Sequence, residues 1–155
     1  MKNLVCFAVK EEGQFYRPGD GTEVLYTGMG SANARRSMAK YLKANKPAQV
    51  FSAGFAGALD PILQLGTIVF NCQDAAISKL LENKGARGCN FLCAERVAST
   101  AREKKQLRAG SGADAVEMES QVIAEICREE NIPCSIVRVI SDTAGSMSTK
   151  LTERT

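Results

Sequence analysis

The sequence predicts an α/β fold: a single domain with a central mixed, mostly parallel twisted sheet flanked by helices. Three observations predict it. The runs Leu4–Val9 and Cys134–Ile140, the second broken only by Ser135 and Arg138, read as strands buried on both faces. Such runs alternate with stretches of helical period, which marks the α/β class. The 155 residues are 45% hydrophobic and 24% charged, which suits one domain with one proper core.

The first strand is followed by a polar stretch from Lys10 to Gly21, with Arg17-Pro18-Gly19-Asp20-Gly21 as a turn signal. Residues 23–27 read as a second strand, paired with the first as a hairpin or near-hairpin. Gly28-Met29-Gly30-Ser31 then opens a helix, with Ser31 as its cap. Ala34, Met38 and Leu42 form the apolar stripe, Arg35, Arg36, Lys40 and Lys43 the wet face, and Asn45-Lys46-Pro47 the stop. Residues 49–53 and 67–70 read as the third and fourth strands. Helices are predicted over 73–83 and 100–108, with a short strand at 90–93 between them. Residues 113–116 lead to Glu117-Met118-Glu119, and a helix runs on to Glu130. The last apolar strand delivers Ser141-Asp142. The domain is placed at 1–144, and 145–155 read as a polar, frayed tail.

Composition narrows the chemistry. Histidine is absent, which excludes Ser-His-Asp and Cys-His groupings, His-ligated zinc and a histidine base. Protons must then move through carboxylates, Lys, Tyr, Cys or water. Twenty basic and 17 acidic residues leave a formal charge of +3, too weak a bias for nucleic acid or an anionic membrane. Six cysteines form no C-x-x-C pair and read as reduced, structural thiols. No apolar run approaches the roughly 20 residues of a membrane span, and Met1–Val9 reads as a strand, not a signal peptide. A soluble, cytoplasmic protein is expected.

In parallel sheets, ligands bind beyond the carboxyl ends of strands. Four elements fall there: Glu11-Glu12, Gly28-Met29-Gly30, Gly54-Phe55-Ala56-Gly57 and Ser141-Asp142. Gly28 and Gly30 let backbone approach a ligand at a helix N-terminus, or make only a tight turn. A dinucleotide site is disfavoured: Asn33 stands where a third glycine is needed. Phe55, Ala56 and Gly57 bring N–H groups to a ligand, or only pack closely. Glu117 and Glu119, if extended, face one side and suit a vicinal diol; the alternative is a helix N-terminus. Asp142 is either an acid fixed by its strand or a loop-initiating cap. Glu12 alone reads as surface.

Together these segments resemble the purine nucleoside phosphorylase and nucleosidase superfamily, including the methylthioadenosine/S-adenosylhomocysteine nucleosidases. The resemblance is carried by residues 8–12, 27–34, 52–59, 66–69, 115–120 and 137–142, in order and with similar spacing. Val116-Glu117-Met118-Glu119, followed about two dozen residues later by Ser141-Asp142, is its most specific part. Ala58-Leu59-Asp60-Pro61 and the short middle also resemble a hopanoid-associated phosphorylase branch.

The resemblance implies cleavage of the N-ribosidic bond of a purine nucleoside, without a cofactor. Asp142 would protonate the purine N7 and Ser141 would position it. Glu119 would hold the ribose hydroxyls, Met118 would pack under the sugar, and Glu117 would line the same pocket. Glu12 would activate water. Phe55, Ala56, Gly57 and Gly30 complete the expected substrate-binding set. Inorganic phosphate is the co-substrate if the enzyme is a phosphorylase, with Arg17, Arg35 and Arg36 as candidate ligands. The Glu12 carboxylate would repel phosphate, which favours water. A nucleoside-binding or assembly protein without turnover is the alternative from another class. Phe55 replaces a residue that is usually small or hydroxyl-bearing, the stretch between Phe70 and Ile77 is short, and the chain stops soon after Asp142. The missing apolar cover favours a homo-oligomer.

Overall fold

The computed structural model describes residues 1–146. The tail expected at 145–155 therefore lies almost wholly outside the described residues. The class is the one read from the sequence: α/β, with a mixed, mostly parallel sheet flanked by helices. The chain divides into two compact units. One comprises Met1–Gly54 with Glu119–Val137, and the other comprises Phe55–Met118 with the chain from Arg138 onward. Two long strands, β3 (Gln49–Ala58) and β8 (Cys134–Asp142), pass from the first unit into the second.

In the first unit, β1 (Asn3–Phe7) lies between β2 (Thr22–Tyr26) and β3, parallel to both. Leu4, Val5, Cys6 and Phe7 are all buried, so β1 is covered on both faces, which is why it is apolar from Leu4 onward. The parallel pairing corrects the expected hairpin. Residues 8–21 are long enough for a crossover and contain a short helix, α1 (Lys10–Gly13), so the turn signal at 17–21 does not reverse the strand. Helix α2 (Gly30–Ala44) buries Ala34 and Met38, while Arg35 and Arg36 stay exposed. Helix α5 (Ser120–Glu129) buries Val122, Ile123, Ile126 and Cys127 in the same cluster, with Leu4, Cys6 and Val50 from the strands.

In the second unit, β4 (Ile68–Asn71) joins β8 through Ile140 and runs parallel to β5 (Arg87–Gly88), a two-residue strand the sequence did not signal. The end of β3 pairs antiparallel with β7 (Ala115–Glu117), and β6 (Phe91–Cys93) runs parallel to β7. The run at 54–58, expected beyond the end of the third strand, is a continuation of that strand. Helix α3 (Ala75–Asn83) is capped by Asp74, which accepts from the N–H groups of Ala76 and Ile77. Helix α4 (Ala101–Ser111) is capped by Thr100 and ends at Gly112, whose φ of 70° is a left-handed stop. The core here is Ala56, Ala58, Val69, Cys89, Ala115 and Ile140, beside a smaller cluster of Leu59, Ala98, Ala113 and Val116. All six cysteines are free thiols, and burial pushes Cys89 up to about 11.

Gly13 shows how tightly the first unit closes over β1. A Cβ there would sit 2.7 Å from the Phe7 ring, which itself stacks near Tyr26 at 6.2 Å. Gly13→Ala should cost about 1–3 kcal/mol in urea unfolding. Gly19→Ala, with nothing within 4 Å of its Cβ, should stay within about 0.5 kcal/mol and serves as the control.

Candidate active site

The first unit presents three of the expected residues. Glu12 is the third residue of α1 and is half-buried rather than on the surface. Its Oε1 accepts the N–H groups of Ala8 at 3.0 Å and Val9 at 3.2 Å, while its own N–H donates to the Val9 carbonyl at 3.1 Å. The carboxylate is therefore fixed against the end of β1. Beyond β2, the N–H groups of Thr27 and Gly28 donate to the Phe7 and Ala8 carbonyls, extending the parallel ladder. Gly28 and Gly30 both have φ near +84°, a conformation that glycine adopts without strain.

Helix α2 begins at Gly30, one residue before the expected cap, so Ser31 lies in its first turn. No side chain of Met29, the residue that precedes the helix, caps it. Instead the Gly30 N–H donates to Glu119 Oε2 at 2.7 Å. The anion favoured by this helix N-terminus is supplied by the chain itself. Glu119 is buried and sits at the start of α5, whereas Glu117 ends β7. The two acids are thus neither both extended nor both helical.

The second unit holds the remainder. Along β8, Arg138, Ile140 and Asp142 are the buried alternates, so their side chains share one face of the strand. Arg138 Nη2 pairs with Glu117 at 3.4 Å and Nη1 donates to the Phe55 carbonyl at 3.2 Å. Both members of that pair are at most 2% exposed. One guanidinium therefore ties β8 to the end of β3 and to β7. Ser141 Oγ donates to Asp142 Oδ1 at 3.2 Å. Asp142 Oδ2 faces the Lys104 ammonium at 2.5 Å and has no other partner among the described residues. Gly57 is pressed against this carboxyl: a Cβ would lie 3.1 Å from Oδ2. A small cavity, with about 30 Å³ open to the centres of water molecules, lies beside Asp142, Glu117, Met118 and Gly57. Phe55 is half-buried and Ala56 is buried in the core, so of that run Gly57 is the one that meets the acid.

Sequence reasoning missed Lys104 and gave Arg138 no role. Arg138 had a signal, as a charge inside an apolar strand. Lys104 had none, being one of several cations on a polar helix. The three arginines proposed for phosphate are engaged at the surface. Arg17 donates to the Gln14 carbonyl, Arg35 pairs with Glu125 at 3.6 Å, and Arg36 donates to Asn33. Among the described residues no cluster of Cys, Asp and Glu could hold a metal ion.

The model of the phosphorylase superfamily matches residues 72–154, which is more than half of the chain. The chain belongs to the phosphorylase superfamily. A 5′-methylthioadenosine/S-adenosylhomocysteine nucleosidase of Glaesserella parasuis is 30% identical over 159 residues, spanning 81% of this chain and 69% of that protein. The corresponding protein of Bacillus cereus is 26% identical over 165 residues, with the same coverage. Among solved structures, a nucleosidase of the same name from Colwellia psychrerythraea, in complex with adenine, superposes with a TM-score of 0.82. It is 19% identical, and the match covers 99% of this chain and 87% of that one. Futalosine hydrolase of Helicobacter pylori gives 0.79 at 20% identity, covering 93% and 85%. These structures share the superfamily fold.

Within that fold, the Arg138–Glu117 pair is an internal brace. Arg138→Met should cost about 3–5 kcal/mol, since Glu117 keeps a buried charge. Arg138→Met with Glu117→Met should recover most of that loss, as read from paired urea melts.

Proposed function

We propose that this phosphorylase-superfamily chain hydrolyses the N-ribosidic bond of a purine nucleoside, with water as the nucleophile. The observation that carries the reading is Asp142. It is a buried carboxyl at the end of β8, beside a small cavity lined by Glu117 and Met118. The names of the most similar curated relatives support it.

The chemistry needs two kinds of help. As the bond breaks, the sugar gains oxocarbenium character and the base gains negative charge. Asp142 gives its proton to N7 of the departing base, with Ser141 holding the carboxyl in orientation. Glu119 takes the ribose hydroxyls, Met118 packs under the sugar, and Glu117 lines the pocket. Glu12 accepts a proton from the attacking water. Gly30 positions Glu119 through its N–H, and Phe55, Ala56 and Gly57 offer backbone to the substrate. No cofactor is required. Water is favoured over phosphate because Glu12 is a carboxylate, and because Arg17, Arg35 and Arg36 already have surface partners.

A cytoplasmic homo-oligomer is part of the same reading. Ile62, Leu65, Ile68 and Leu80 are exposed apolar side chains of the second unit and support a subunit contact. Among the described residues no helix is long and apolar enough to cross a membrane.

The test is release of free base from adenine and guanine nucleosides, 5′-methylthioadenosine included, with and without phosphate. Release without phosphate is expected. Asp142→Asn and Glu12→Gln should each lower kcat by about 10²–10⁴-fold. Dependence on phosphate would reassign the chemistry to phosphorolysis. Thermal stabilisation by a nucleoside with no product would reassign the chain to binding alone.

A further inference from the structure

The Lys104 side chain is fully buried, and nothing in the hydrolytic scheme above uses it. Its ammonium donates to the Thr143 carbonyl at 2.7 Å and the Ser146 carbonyl at 2.7 Å, and stands 2.5 Å from Asp142 Oδ2. An ammonium has three N–H donors, and three oxygens surround this one. The turn carrying two of them is itself closed, because Ser146 Oγ accepts the Thr143 N–H at 2.9 Å and bonds the Thr143 hydroxyl at 3.0 Å. The two carbonyls therefore keep the ammonium in place whatever charge Asp142 carries.

We infer that Lys104 is the positioning residue of the acid: it orients the Asp142 carboxyl and stabilises the carboxylate left when the proton departs. The inference rests on the hydrolytic reading above. In that reaction the bond between C1′ and the base nitrogen breaks, and its electron pair goes to the base. The base takes the Asp142 proton, water forms the new bond to C1′, and the water proton passes to Glu12. Asp142 ends as a buried carboxylate, the state paired with Lys104 in the structure, and takes a proton back from solvent before the next turnover. Without a nearby cation that state is costly. Lys104 supplies the cation in advance, so no group has to move during the step. With Oδ2 directed at the ammonium, Oδ1, which also takes the Ser141 hydroxyl, is the oxygen turned to the substrate.

The experiment compares Lys104→Met and Lys104→Gln with the wild type in steady-state base release and thermal melts. The expected result is a kcat about 100-fold lower with KM within about 3-fold, because the interaction is realised only as charge develops. In an Asp142→Asn background, Lys104→Met should cost less than about 3-fold more, since its target is gone. Should the methionine variant fail to fold, the glutamine variant decides. Its amide can still donate to the turn carbonyls but carries no charge. A kcat within about 3-fold of wild type, a loss that appears in KM, or losses that multiply in the double variant would overturn the inference and leave Lys104 a structural residue. Wild-type protein that releases no base from any nucleoside would instead sink the hydrolytic reading on which it rests.

Discussion

Strand β8 carries two opposite charges on one buried face, and the second unit is arranged around neutralising them. Arg138 and Asp142 stand four residues apart, with Ile140 between them on the same side. Neither charge can be left alone in an apolar interior. Each recruits a partner from a different element: Glu117 from β7, and Lys104 from α4. Those recruitments fix where β7 and α4 lie against the strand. A pair of this kind adds little net stability over an apolar replacement, so its value lies in placement. Glu117 and Asp142, two acids distant in sequence, are held by cations on the same strand face and beside it.

The same logic explains which parts of the molecule were legible in the sequence. Elements governed by apolar period were readable: β1, α2, α5 and β8 appear close to where the pattern puts them, and α3 and α4 fall within a few residues of the helices expected at 73–83 and 100–108. The pairing of β1 with β2 was misread because Pro18-Gly19-Asp20-Gly21 is strong turn chemistry. Turn chemistry alone does not state how far the chain has travelled before it turns, and α1 supplies the crossover. Neither of the two readings of Glu117 and Glu119, extended strand or helix N-terminus, holds for both residues, for a related reason. The boundary between strand and helix falls within the motif, at Met118.

Burial of single charges was the least legible feature. Lys104 and Lys105 are adjacent, of one type, on one polar helix, yet Lys104 is fully buried and Lys105 is exposed. Local sequence cannot separate them, because the difference is made by Thr143, Ser146 and Asp142, about forty residues onward. Glu12 is a milder case. It looks like half of an acidic loop start, but the N–H groups at the end of β1 need an acceptor, and the carboxylate three residues on is within reach. In both places a long-range or end-of-strand hydrogen-bonding demand decides the role.

A chain with no histidine must hold its acid by other means, and lysine suits this site better than arginine would. The three oxygens that meet Nζ belong to two backbone carbonyls and one carboxylate gathered about a single point. An ammonium places three donors on one tetrahedral atom, whereas a guanidinium spreads five across a plane. Arg138 illustrates the other geometry: its separate nitrogens reach Glu117 and the Phe55 carbonyl on two different strands. The choice of cation thus follows the shape of what must be held. A point of convergence takes Lys104, and a span between strands takes Arg138. Exchanging the two types would retain both charges and lose both geometries.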